Sequence, residues 1–120
     1  MKYSKAEELP VWKDSIKLVK SLYEEINNWT FKNDFALQDQ IKRSVILVPS
    51  NIAEGFARKT WNEFLRFLDI SLWSLSEFYT QIYIAYEIGY LNKEKFDSFD
   101  KEISNIEKQI KSLILYLNNK

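Results

Sequence analysis

Four carboxylates are the groups in this chain best placed to do chemistry: Glu54, Asp69, Glu77 and Glu87. They fall in two stretches of helical periodicity, and carboxylates projecting from facing helices of a bundle can hold a pair of metal ions. Sites of that kind also draw on Glu-x-x-His motifs. The chain has no histidine and no cysteine. That removes the commonest metal ligand, the commonest general base and all thiolate chemistry. No nucleophile–base pattern or phosphate-binding loop is present, and the serines and tyrosines fall in helical stripes. The expectation is a protein with no catalytic residues, no metal and no cofactor: not an enzyme.

Two polar positions carry a different possibility. Asn51 and Glu54 are three residues apart, hence on one helix face, and sit among Val48, Ile52, Ala53 and Phe56. A carboxylate in such surroundings needs a cation or several donors, and Arg43, Arg58 and Arg66 are the natural ones. The expectation is an internal polar network that fixes helix register or subunit pairing; the alternative is a ligand or nucleic-acid contact. The cations Lys42, Arg43, Arg58, Lys59 and Arg66 gather around the same helix and its exit. Residues 32–59 hold five basic and three acidic residues, residues 61–90 one basic and four acidic. Such a local excess, repeated around an assembly, could bind phosphate backbones although the net charge is zero. An ordinary solvated face with one or two salt bridges is the competing reading.

The elements that must position these groups are few and long. Two glycines and two prolines in 120 residues leave too few turn residues for an all-β fold. One all-α domain spanning residues 1–120 is expected. A first helix runs from Pro10 to Asn27, with Trp12, Ile16, Val19, Tyr23 and Ile26 as its apolar stripe. A loop from Trp29 to Asp34 follows. The second helix starts at Asn33 or Asp34, either of which can cap it. Its seam is Leu37, Ile41, Val45, Val48 and Ile52, and it continues with a kink through Pro49 because the period survives the proline. Thr60 to Glu63 has the spacing of a capping box and opens the third helix, which Gly89 ends. The fourth begins at Asn92 and carries the seam Phe96, Phe99, Ile103, Ile106, Ile110, Leu113 and Leu117. Short connections between long helices favour an antiparallel up-down-up-down four-helix bundle. No segment is apolar enough for a signal peptide or membrane span, so a cytoplasmic protein with no membrane partner is expected.

A bundle core needs one stripe per helix, yet two helices have more. On the second, Ile46, Leu47, Ala53 and Phe56 lie off the seam. On the third, Phe64, Leu68, Ser71, Leu75, Phe78, Ile82 and Ala85 make one stripe; Leu65, Leu72, Tyr79 and Tyr86 make another, with Trp73 beside it. Exposed apolar area on that scale marks an interface. Leu65, Leu72, Tyr79 and Tyr86 are therefore the expected contact between copies of the chain, unless a wide core absorbs both stripes.

The runs Gln40-Ile41-Lys42-Arg43-Ser44 and Pro49-Ser50-Asn51-Ile52-Ala53-Glu54-Gly55 resemble the signature of a bacterial four-helix-bundle family. That family is first known from proteins encoded in intervening sequences of large-subunit ribosomal RNA genes. Phe64 to Ser71, Ser74 to Glu77 and Gly89-Tyr90-Leu91 are similar to its next helix and its end. The resemblance covers residues 11–117. It implies a homopentameric ring. It also implies kinship with the accessory protein of diversity-generating retroelements, a basic pentameric barrel that binds nucleic acid and a reverse transcriptase. This chain is neutral where that relative is basic. Two functions are carried forward: an oligomeric nucleic-acid-associated accessory protein, its partner a nucleic acid or a nucleic-acid-processing protein, and an oligomeric scaffold for another protein.

Overall fold

The computed structural model describes residues 1–29 and 34–119. The loop and the Asn33 cap expected between Trp29 and Asp34 lie largely outside them, as does Lys32. After a 3-10 turn at Ala6–Glu8 come four helices: α1, Pro10–Ile26; α2, Phe35–Phe56; α3, Trp61–Glu87; and α4, Lys93–Asn118. No strand occurs among the described residues. The molecule measures 47 × 22 × 20 Å, and its buried apolar side chains form one continuous cluster drawn from all four helices.

Local chemistry explains where the helices begin and end. Pro10 occupies the first turn of α1, where its missing N–H is no loss. The Leu37 N–H donates to Asp34 Oδ1 at 3.2 Å, the Glu63 N–H to Thr60 Oγ1 at 3.2 Å, and the Lys95 N–H to Asn92 Oδ1 at 2.8 Å. The Thr60 hydroxyl also donates to Glu63 Oε2 at 3.0 Å. Gly89 closes α3 with φ +88°. The Tyr90 N–H donates to the Ala85 carbonyl at 2.8 Å and the Gly89 N–H to that of Tyr86 at 3.0 Å, the paired bonds of a Schellman cap. The Tyr90 hydroxyl then donates to Asp34 Oδ2 at 2.7 Å, tying the end of α3 to the start of α2.

α2 is one helix through Pro49, as the unbroken period predicts. Its contacts with α3 run in reverse order along the two helices. The Ser44 hydroxyl donates to Gln81 Oε1 at 2.7 Å, and the Ser71 hydroxyl to the Val48 carbonyl at 2.9 Å. Gly55 lies so close to α3 that a Cβ there would stand 2.6 Å from Phe67 Cβ and 2.9 Å from Phe64 Cδ1. Only glycine permits this approach.

The α1–α4 seam is polar. Asp14 Oδ2 accepts from Asn105 Nδ2 at 3.0 Å and from Gln109 Nε2 at 2.7 Å, and the Ser21 hydroxyl donates to Glu102 Oε1 at 3.1 Å. Burial pushes the Glu102 carboxyl above its ordinary range; the Ser21 bond opposes the rise and the nearby Asp14 adds to it. Burial likewise raises Glu25, against the opposing pull of Lys95 and the Trp29 indole.

Two expectations about stripes are corrected. The core face of α1 is Val11, Ser15, Leu18, Leu22 and Ile26, whereas Trp12 and Val19 are half-buried and Ile16 and Tyr23 exposed. Ser15 can face the core because its hydroxyl donates to its own helix, to the Trp12 carbonyl at 2.7 Å. Leu65, Leu72, Tyr79 and Tyr86 are not a spare stripe. They are half-buried against the core, because α4 lies over that side of α3. The Tyr86 ring stacks on Phe96 at 4.9 Å and 24°, Tyr79 lies 6.1 Å from the same ring, and Leu72 and Tyr79 line a groove with Asp100, Ile103 and Glu107 of α4.

Candidate nucleic-acid interface

The five cations read from the sequence do not share one patch. Neighbours on a helix point about 100° apart, and Lys42 and Arg43 leave α2 on different sides. The Lys42 ammonium lies over the Tyr23 ring of α1, 5.2 Å from its centroid. Arg43 lines a shallow groove between α2 and α3 with Gln40, Leu47, Glu77, Thr80 and Gln81. Arg58, Lys59 and Arg66 are exposed around the α2–α3 turn. Fourteen residues of helix, about 21 Å, separate Lys42 from Phe56 at the end of α2, and Arg58 lies beyond it.

The buried network expected at Asn51 and Glu54 is also corrected. Glu54 is exposed and paired with Arg58: Nη2 lies 2.7 Å from Oε1, with the side chains 40% and 56% exposed. Arg58 is one of the three partners the sequence suggests, but the pair sits in solvent. Glu54 follows Ile52 by two residues and so points about 200° away from that core residue. Asn51 is half-buried, its Nδ2 donating back to the Leu47 carbonyl at 2.8 Å. The Arg58 guanidinium also covers the Phe67 ring at 4.8 Å, which fixes its direction at the end of the molecule.

That end carries aromatic surface which helical periodicity does not reveal. Trp61, the first residue of α3, lies 6.4 Å from Tyr116 near the end of α4, and both are exposed. Met1, Lys2 and Tyr3 line an apolar groove with Tyr116 and Leu113. The chain start and the end of α4 thus meet at Tyr116, beside the start of α3 at Trp61, and Arg58 and Lys59 precede Trp61 by three and two residues in the chain, with the Arg58 guanidinium turned to Phe67. The sequence signal was the aromatic at the first position of α3, beside Arg58-Lys59. Cations flanking exposed rings can neutralise phosphates and stack bases. Among the described residues, no three or more acidic side chains stand together as metal ligands, and no helix is long and apolar enough to cross a membrane.

Residues 7–112 match the model of the 23S rRNA-intervening sequence protein family. The chain belongs to this family. No curated protein matches it. Among solved structures, it is similar to the crystal structure of a protein of unknown function from the S23 ribosomal protein family of Bacteroides thetaiotaomicron. The TM-score is 0.78 at 20% identity, over 87% of this chain and 97% of that one. At that identity the likeness concerns the fold. In this member of the 23S rRNA-intervening sequence protein family, the run from Pro49 to Gly55 includes Gly55, which lets α2 and α3 touch, and Ile52, buried in the core. The quoted residues Ser44 and Ser71, on either side of that run, supply the two interhelical hydroxyl bonds.

Proposed function

We propose that this protein is a non-catalytic, oligomeric accessory protein of the cytoplasm that associates with nucleic acid. Its helices form an antiparallel up-down-up-down bundle repeated around a homo-oligomeric ring, with five copies as the family resemblance implies. The observation that carries the reading is the exposed Trp61–Tyr116 pair at the end of the molecule, with the exposed cations Arg58 and Lys59 three and two residues before Trp61 in the chain. The family's name, taken from a 23S rRNA intervening sequence, points the same way. The non-catalytic part rests on the chain's lack of histidine and cysteine and on Glu54 being engaged by Arg58.

With zero net charge, binding depends on the cluster being repeated, and it should be weak and indifferent to sequence. A few phosphate contacts make affinity fall steeply between about 50 and 200 mM salt. Titration with single-stranded RNA and duplex DNA should show binding at the lower salt, release at the higher, and preference for single strands, whose bases are free to stack. No binding to either at the lower salt overturns this reading. The zero net charge then favours the second one, an oligomeric scaffold for another protein.

A further inference from the structure

Among the described residues, two of the apolar faces that no helix of the chain covers carry opposite charge. The first lies across α1 and α2. Trp12, Ile16 and Val19 line an open groove with Ile46, Pro49 and Ala53, and Ile16 and Ile46 are each 40% exposed. Its margin is mostly basic: Lys13 and Lys20 stand three or four residues from Ile16 on α1, hence on its flank, and Lys42 sits over Tyr23 at the groove's end, with Glu24 and Asp39 as the exposed carboxylates near that end. The second is the outward side of α3. Trp73 is 69% exposed there, with Ile84 at 44% and Ile88 at 51%. Its margin is mostly acidic. Asp69 and Glu77 stand four residues to either side of Trp73 and Glu87 three residues after Ile84, all exposed, with Arg66 as the cation of the same face.

We propose that these two faces bind each other between copies: the groove of α1 and α2 in one copy receives Trp73 and the acidic flank of α3 from the next. Pairing either face with itself opposes like charges, lysines across the groove or carboxylates across α3. Pairing groove with α3 brings the lysines of one copy to the carboxylates of the other, and complementary charge selects that arrangement over the symmetric ones. The groove is open, apolar and bordered by Pro49 and Ala53, with room for an aromatic side chain. Trp73 is a large apolar side chain standing in water, the kind of residue that anchors an interface. A contact between two different faces is heterologous and repeats head to tail, closing a ring when the rotation allows. It thereby supplies a geometry for the proposed ring and rests on that oligomeric reading.

The test uses two single variants at exposed positions, Ile46→Glu and Trp73→Glu, with masses from light scattering at micromolar concentration. Wild type should have several times 14.4 kDa. Each variant alone should fall to 14.4 kDa, an unpaired charge in an apolar contact weakening association by roughly a hundredfold or more. Mixed in equal amounts they should form a dimer and nothing larger, because each brings one working face. A variant that keeps the wild-type mass, or two monomeric variants that fail to pair, overturns the head-to-tail contact and leaves the oligomeric reading standing. A monomeric wild type overturns both. A second pair, Lys13→Glu with Lys20→Glu against Asp69→Lys with Glu77→Lys, guards against a folding defect. Each should assemble poorly alone, and the mixture should reach a mass above that of either variant alone, as alternating chains or even-numbered rings, because like variants still repel; no gain in mass on mixing counts against the proposal.

Discussion

Where α2 meets α3 the contacts are a glycine, two serines and the edges of aromatic rings; where α1 meets α4 they are carboxylates, amides and a serine. The first seam is dry and close. Its serine hydroxyls are buried and bonded across the helices, and Gly55 leaves no room for a methyl group. The second is half-solvated, with Asp14 gathering two amides and Glu102 partly desolvated. The contrast locates the family signature. Ser44, Ile52 and Gly55 belong to the dry seam and core and are about architecture. The groups available to a partner lie on the α2–α3 turn, on the outward side of α3, and in the open groove between α1 and α2, where Pro49 and Ala53 of the same run form part of the wall.

The largest effect should come from the dry seam. Gly55→Ala gains up to about 1 kcal/mol of helix propensity. It also drives a methyl group into Phe67 Cβ, an atom that cannot swing away because it sits directly on the α3 backbone. Overpacking of this kind should dominate, at a net cost of about 2 kcal/mol. A thermal melt should show a drop of roughly 10 °C for a domain of this size. An unchanged melt would mean that α2 and α3 are not held at this separation.

A smaller effect, visible as pH dependence, should come from the polar seam. The carboxyls of Glu102 and Glu25 are raised in the folded chain above their ordinary 4.5. A raised group binds its proton more tightly when folded. Its stabilising contribution is complete below the unfolded value and is lost as pH rises through the folded one. Stability from these two groups should therefore decline from about pH 4.5 upward. Glu102→Gln should flatten that decline, so urea midpoints of variant and wild type should converge at the acid end and separate toward neutrality. Parallel curves would remove Glu102 from the account.

The smallest effect belongs to the solvent-exposed pair. Glu54→Ala removes an ion pair whose side chains are 40% and 56% exposed. Such i,i+4 pairs contribute about 0.5 kcal/mol or less, so the midpoint should scarcely move. A loss comparable with that of Gly55→Ala would put Glu54 in a buried contact that the isolated chain lacks, as at a subunit interface.

Local signals in the sequence translated directly. Thr60, Asn92 and Gly89 each act through a backbone group within a few residues, so their types and spacing suffice to place helix ends. The core stripes of α3 and α4 were legible because each contains residues such as Phe78, Ile82 and Ile106 whose burial has no competitor at that angle. α1 was misread because two adjacent stripes are both apolar, and the one carrying Trp12 and Tyr23 has the larger side chains. The core takes the other, where Ser15 satisfies its own hydroxyl and Leu18 and Leu22 fit. The role of Leu72 and Tyr79 was misread for a related reason: the sequence does not say where α4 will lie, and α4 covers them. Glu54 was placed inside by its neighbours in sequence, although its helical angle turns it outward. The Trp61–Tyr116 pair was legible only as an aromatic at the first position of α3, since its partner stands 55 residues later in the chain, near the end of α4.

The most direct test of the functional account is the RNA affinity of the double variant Arg58→Glu, Lys59→Glu at about 50 mM salt, a strength at which phosphate contacts still hold. Both positions are exposed and outside the dry seam, so mass should stay at the wild-type value and the melt should fall only slightly, by the roughly 1 kcal/mol that replacing the Arg58–Glu54 pair with two carboxylates costs, while binding to single-stranded RNA disappears. An RNA affinity equal to that of wild type, in a variant of wild-type mass, would contradict the assignment of the α2–α3 turn as the nucleic-acid interface.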